Sequence, residues 1–264
     1  MNLRTYIHRC KRPVLAAVFL LPGAGSWSQI APAASTTPDA TQIAQAIERH
    51  DQTQAKALER YHALRHYEVT YRGFFKNMTA KMDVELDYDA SSGKNFRIVS
   101  QSGSHTLCEK VLKRALDSEK DASQDHGAHS LTPANYKFQL LGSEALNGRP
   151  TYVLQVDPVS DSPYLYRGKI WVDAADGAVS KMEVQPAKNP SFWISQTLVH
   201  QTNSRVGDFW LPQLNQSETK VRIGGKAVMT INYGDYQILQ SQSPQSHGET
   251  GPQLENETQR ASVR

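Results

Sequence analysis

From Tyr67 onward, apolar and polar side chains alternate with a period of two over most of the chain. The segment "AKMDVELDYD" sets Met82, Val84, Leu86 and Tyr88 against Lys81, Asp83, Glu85 and Asp87. Side chains switch faces at each residue of a strand, so this segment predicts one buried and one wetted face. Before it, "YEVTYRGFF" sets Tyr67, Val69 and Tyr71 against Glu68, Thr70 and Arg72; after it, "KNFRIVSQSGS" predicts a third strand. Two stretches carry helical spacing instead. Thr37-Pro38-Asp39 offers a helix start. Ile43, Ala46, Ile47, Ala55, Leu58, Tyr61 and Leu64 extend it into one long amphipathic helix ending near Leu64, with room for a break at "RHDQTQ". Leu107, Val111, Leu112, Ala115 and Leu116 predict a second helix from Ser104 to about Glu119, followed by a polar loop to residue 132.

The remaining pattern predicts six to eight antiparallel strands. "YKFQLLGSEALNGRPTYVLQVDP" is a hairpin turning at Asn147-Gly148, a pair suited to positive φ. "YLYRGKIWVD" and "GAVSKMEVQP" form the next pair, and Gly224-Gly225 is the last tight turn. Short turns between successive strands favour an up-and-down meander over a parallel sheet. The expected fold is α+β: one domain over residues 38–240, a curved antiparallel sheet covered by a few helices. Two helices are too few to cover so large a sheet tightly, which predicts a half-barrel around an apolar cavity with the helices as its lid.

The two ends of the chain change the reading of its charge. Residues 1–28 have the layout of a secretory signal, either cleaved or kept as an anchor. Arg4, Arg9, Lys11 and Arg12 precede the apolar run Val14–Leu21, and Ser26 and Ser28 suit a cut before Gln29. Residues 29–37 read as a flexible lead-in, and 241–264, rich in Gln, Ser and Glu, as a disordered tail. The signal holds four of the 29 bases and none of the 26 acids, leaving 25 against 26 and a mature charge of −1. No concentrated basic face remains for nucleic acid. The expected location is the periplasm or the exterior, and the expected state a monomer. Cys10 falls in the signal, so Cys108 stands alone, without an internal disulfide, a CxxC motif or a cysteine-based zinc site.

Candidate chemistry is sparse. Asp173 and Asp176 in "VDAADGAV" read as a hairpin corner in which Asp173 caps the turn and Gly177 takes the left-handed position. The further oxygens of a calcium loop are missing. His62 and His66 are placed at a helix-to-strand switch, and His126 and His129 in a loop, with no HExxH motif. No serine lies in a G-x-S-x-G elbow. Neither a metal, a cofactor nor catalysis is expected. Aromatic density on strands stands out instead, and aromatic side chains are frequent in ligand pockets. Phe192-Trp193 and Phe209-Trp210 put adjacent rings on opposite faces, so one of each pair is expected outside the main core.

The segments "GRPTYVLQVDP", "YRGKIWVDAADGAVSKMEV", "SRVGDFWLPQLNQSET" and "AVMTINYGDYQI" together resemble the periplasmic lipoprotein-sorting and carrier family, the LolA/LolB-like proteins. The resemblance runs from about Tyr136 to Leu239. It implies a half-barrel closed by helices, whose interior takes the acyl chains of lipoproteins or a related lipid, with membrane-bound donor or acceptor proteins as further partners. It also implies an arginine on an early strand that gates the lid, a role that falls to Arg72. The expected cargo-contacting set is Arg72, Tyr71, Met82, Val84, Leu86, Phe96, Trp171, Met182, Trp193 and Phe209. A sensor or scaffold of the same fold, binding a partner protein, is the alternative.

Overall fold

A computed structural model describes residues 37–122, 130–189, 191–222 and 224–239, with residues 121 and 122 described by backbone alone. The predicted signal, nearly all of the lead-in, the tail, Cys10, His126 and His129 lie outside the described residues.

The chain begins with α1 (Ala40–Ala57). Asp39 closes its first turn as a capping box: Oδ1 of Asp39 accepts from Gln42 N at 2.8 Å, and Asp39 N donates to Gln42 Oε1 at 3.0 Å. The helix stops at Ala57, seven residues short of the expected Leu64, because β1 (Arg60–Arg72) has already begun. Tyr61, Ala63, Arg65, Tyr67 and Val69 are buried in alternation along β1. The small Ala63 and the charged Arg65 hide that period of two in the sequence, whereas Leu58, Tyr61 and Leu64 mimic a helical spacing. His62 and His66 therefore share one strand face, not a helix-to-strand switch, and their Nδ1 atoms lie 2.8 and 2.7 Å from Asp87 and Asp83 of the next strand.

β2 (Asn77–Asp89) and β3 (Gly93–Gly103) complete a three-stranded meander. The second helical segment follows as α2 (His105–Leu107), a π-helical turn (Cys108–Leu112) and α3 (Lys113–Ala122). Gly103, at φ +89°, makes this change of direction: a Cβ there would lie 2.3 Å from the Thr79 carbonyl oxygen. Seven more strands follow: β4 (Tyr136–Leu146), β5 (Arg149–Pro158), β6 (Tyr166–Asp173), β7 (Val179–Pro186), β8 (Ile194–Val206), β9 (Phe209–Val221) and β10 (Lys226–Ile238). Asn147 and Gly148 take φ of 51° and 78°, the positive values expected of their hairpin.

All ten strands form one antiparallel sheet, in the order β3-β2-β1-β10-β9-β8-β7-β6-β5-β4. It is a meander with a shifted seam. The first strand pairs with the last, and the two free edges are β3 and β4, the strands joined through the helical connection. The sheet stays open as a half-barrel. The predicted class, a curved antiparallel sheet with a few helices, is the one observed.

Directly opposed residues in a ladder point to the same face. One row of them crosses every strand: Gln101, Met82, Tyr67, Ile231, Asn215, Gln201, Met182, Ile170, Leu154 and Leu140. The same row is apolar over β1, β2 and β10 and again over β4–β7, and turns to amides on β8 and β9. Each apolar stretch carries a helix. Ile43 and Ile47 of α1 pack with Leu154, Val156, Ile170, Val172 and Val184. Leu107, Cys108, Leu112 and Leu116 of the second segment pack with Tyr67, Val69, Ala80, Met82, Val84 and Ile231. At roughly 1.5–3 kcal/mol for each fully buried aliphatic side chain, these contacts are the main attachment of both helices.

Candidate functional site

The concave face carries one charged side chain that its apolar surroundings do not suit. Arg65 is 1% exposed. It stands in phase with Tyr61, Ala63, Tyr67 and Val69, so the pleat aims it inward. Its guanidinium carbon lies 4.7 Å from the Tyr233 ring centre and 5.4 Å from that of Phe96, so cation–π attraction acts from both rings. Nη1 donates to Glu119 Oε2 of α3 at 2.7 Å and to Tyr67 Oη at 3.3 Å, while Nε is buried with no hydrogen-bond partner. Lys94 of β3 donates to the other oxygen of Glu119 at 2.6 Å. Two cations from the sheet thus hold one carboxylate on the covering helix.

The electrostatics follow that geometry. Burial alone would push the Glu119 carboxyl up, but Lys94 and Arg65 outweigh it and hold it below the usual glutamate range. Burial works against the Arg65 cation, and Glu119 more than compensates, so the guanidinium stays charged. Around them lies a cluster of phenols. Tyr61 stacks on Tyr88 with ring centres 5.0 Å apart and tilts against Tyr236 at 5.6 Å. Burial pushes the Tyr61 phenol up to about 12 and raises Tyr233 and Tyr236 as well, so all three stay neutral donors near neutral pH.

Most of the expected contact residues meet on this face. Tyr71, Met82, Val84 and Phe96 belong to the group beneath the second helical segment. Leu86 and Phe209 close its neighbouring end with Leu58, Tyr61, Ala63 and Leu211. Met182 joins the group under α1. Three residues lie elsewhere. Arg72 follows Tyr71 and points to the outer face, where it lines a groove with Glu68, Thr70, Lys226, Val228 and Thr230. Trp171 alternates with the inward Ile170 and Val172: its Nε1 donates to Glu144, and Lys181 Nζ sits 4.3 Å from its ring centre. Trp193 precedes β8 in a loop, where it and Phe192 are both exposed. The other aromatic pair does split, with Phe209 buried and Trp210 half-buried.

Sequence reasoning missed Arg65 and Glu119. The alternation of β1 held the signal, since Arg65 is the one base in phase with its apolar residues. Also missed was a chain of amides between the two helix-covered groups. Asn215 Nδ2 donates to Gln201 Oε1 at 3.0 Å, Gln201 Nε2 to Asn203 Oδ1 at 3.0 Å, and Asn203 Nδ2 to the Val179 carbonyl at 2.8 Å. It gives the middle of the sheet a polar floor.

The acidic corner is a structural knot. Asp173 Oδ1 accepts from the backbone of Ala175 at 3.0 Å and Asp176 at 2.9 Å, as a turn cap does. Arg149 donates to Asp173 at 2.5 and 2.9 Å and to Asp176 at 3.0 Å, and the Trp210 indole donates to Asp176 at 2.9 Å. Gly177 lets α1 pass: a Cβ there would lie 2.8 Å from the Ala46 carbonyl oxygen. Gln54 then pins the far end of α1 by bonding both backbone groups of Trp210, at 2.7 and 3.0 Å. Among the described residues no group of three or more His, Cys, Asp or Glu side chains is placed to hold a metal ion. No described helix is long and apolar enough to cross a membrane.

No family model matches the chain, and no curated protein matches its sequence. Among solved structures it is similar to a DUF1329 family protein from Desulfovibrio piger, at 12% identity and a TM-score of 0.38, over 78% of this chain and 96% of that one. It is also similar to an outer membrane lipoprotein-sorting protein domain from Vibrio parahaemolyticus, at 14% and 0.37, over 78% and 94%. A LolA superfamily protein from Nitrosomonas europaea follows at 12% and 0.32, over 77% and 95%.

Proposed function

We propose that this protein is an exported, non-enzymatic carrier that holds an acyl chain or the lipid anchor of a lipoprotein against its concave face. The observation that carries the reading is the Arg65–Glu119 ion pair beneath the second helical segment. That segment is attached by apolar side chains that an acyl chain can replace, and by an ion pair that a head group can compete for. Arg65 takes the gating role that the sequence resemblance suggested for Arg72. Its unpartnered Nε leaves one donor to be satisfied by an oxygen of the cargo. Each methylene transferred from water is worth about 0.8 kcal/mol, so an acyl chain brings useful affinity without a reacting group.

Helix side chains pack on both apolar stretches of the concave face, so cargo bound there competes with a helix for the same surface. Uptake is then a competition between two apolar occupants, and closure of the helix expels the cargo.

Native mass spectrometry of the purified protein, followed by displacement of a fluorescent fatty acid, tests this. Met229 is half-buried on the concave face between Val69 and Ser217. Met229→Glu places a charge there and should abolish uptake, whereas Arg72→Leu, on the outer face, should leave it unchanged. Equal binding by wild type and Met229→Glu would refute the site. An empty protein that captures one specific polypeptide would favour a partner-binding sensor.

A further inference from the structure

The connections between strands differ in chemistry at the two ends of the sheet. At the end where β1 stops and β2 starts, besides the helical connection from β3 to β4, they comprise residues 73–76, 159–165, 187–193 and 222–225. Phe74 and Phe75 are 83% and 102% exposed there, and Phe192 and Trp193 are 74% and 56% exposed. These four are the most exposed large apolar side chains among the described residues, and all stand at this end. The loops that bear them touch. The Phe74 ring lies against Gly224. Arg222 N donates to the Trp193 carbonyl at 2.8 Å, and the Arg222 guanidinium sits 5.1 Å from the Phe192 ring centre. The charges in these four short loops are Lys76, Lys188 and Arg222 against Asp161. At the opposite end, the connections 58–59, 90–92, 147–148, 174–178 and 207–208 carry Glu59, Asp176 and Asp208 and no base.

A contiguous exposed apolar patch marks an interaction surface. Two features here select its occupant. The rings project from separate loop tips, Phe75 with its whole surface free, and a fluid apolar phase closes around such tips without a matching relief. Bases flank the rings, an arrangement that puts aromatic rings at the boundary of a bilayer and cations among its head groups. We infer that this end of the sheet docks on an anionic lipid bilayer, with Phe74, Phe75, Phe192 and Trp193 inserted and Lys76, Lys188 and Arg222 facing the phosphates. The surface lies on the rim, outside the concave face, and does not depend on the cargo reading.

Flotation of the full chain with vesicles of phosphatidylcholine, with and without phosphatidylglycerol, tests it. The wild type should float with the anionic vesicles and far less with the neutral ones. Lys76→Glu with Arg222→Glu should lose that preference, since each base near an anionic surface contributes about fivefold in partition. Phe74→Ser with Phe75→Ser, exposed changes that leave the circular dichroism intact, should float with neither. A wild type that stays down with both vesicles, or a double phenylalanine variant that floats as well as it does, overturns docking. A dimer that the phenylalanine variant splits, without flotation, overturns it in favour of a second copy of this chain. Met229→Glu separates the two readings, because it should keep flotation while losing uptake. Flotation lost in Met229→Glu and kept in the phenylalanine variant would reject docking and leave the carrier standing.

Discussion

Replacing Glu119 by Gln should destabilise the protein more than removing Arg65 altogether. Glu119→Gln keeps the size of the side chain and discards its charge. The Arg65 side chain, 2% exposed, would then lie among the rings of Phe96 and Tyr233 with only neutral acceptors, Tyr67 Oη and the new amide oxygen, and no counter-charge in contact. A guanidinium does not shed its proton to escape. Removing one partner of a buried pair costs about 3–5 kcal/mol, because the other charge is stranded. Glu119 is 26% exposed, so water reaches the vacated side, which favours the lower figure of about 3 kcal/mol. Arg65→Leu removes the buried cation itself. Glu119 keeps Lys94 at 2.6 Å in partly wetted surroundings, where a pair is worth roughly 0–1 kcal/mol. The expected gap between the variants is about 2 kcal/mol, or roughly 4–8 °C in Tm for a domain of this size. Urea unfolding followed by circular dichroism measures the gap, and hydrogen exchange over residues 105–120 locates it. Arg65→Leu as damaging as Glu119→Gln would refute the account, since the charge would then not be stranded by loss of its partner.

Acid should act on the same pair. The Glu119 carboxyl lies below its unfolded value, so its contribution is complete above about pH 4.3 and is lost as pH falls through the folded value. The wild type should lose more stability than Glu119→Gln between pH 5 and 3, on the order of the Glu119 linkage alone, and parallel curves would reject the assignment. At the hairpin corner, burial raises the Asp173 carboxyl but Arg149 and two backbone N–H groups hold it low. Asp173→Ala should therefore cost about 2 kcal/mol, read from the urea midpoint. Added calcium should leave the wild-type Tm unchanged; a rise would restore a metal role to Asp173 and Asp176.

How much the sequence revealed depended on whether local pattern and tertiary role agreed. β2 was legible because Met82, Val84 and Leu86 meet the helix while their neighbours meet water. The hairpins at Asn147-Gly148 and Asp173–Gly177 were legible because their turn chemistry is local. β1 was misread at its start because Arg65, a charged exception on the buried face, interrupts the apolar rhythm that marks a strand. Arg72 was favoured for its place in the resemblance, although its own alternation with Tyr71 already put it on the outer face. Trp171 was set with Met182 among the inward positions, yet Ile170 and Val172 hold the inner places on β6. Chemical type was readable; the face required phase.

The seam of the sheet was beyond local pattern altogether. Pairing of β1 with β10 rests on the register Tyr67–Ile231 and Val69–Met229, between residues more than 150 positions apart. That closure leaves β3 and β4 as the edges and obliges the chain to travel from one edge to the other. The helix 105–122 belongs to that journey, which explains why the covering segment begins at Gly103 and packs on the strands it has just left. Glu119 lies near its far end, one helix length from the fixed turn at Gly103. The segment is held at one end by backbone geometry and at the other by Arg65 and Lys94. On the carrier reading proposed above, exchange of that ion pair would release the helix without breaking a strand. The ten-stranded ladder would then stay closed while the helix moves, with the buried Arg65–Glu119 pair as the joint between them.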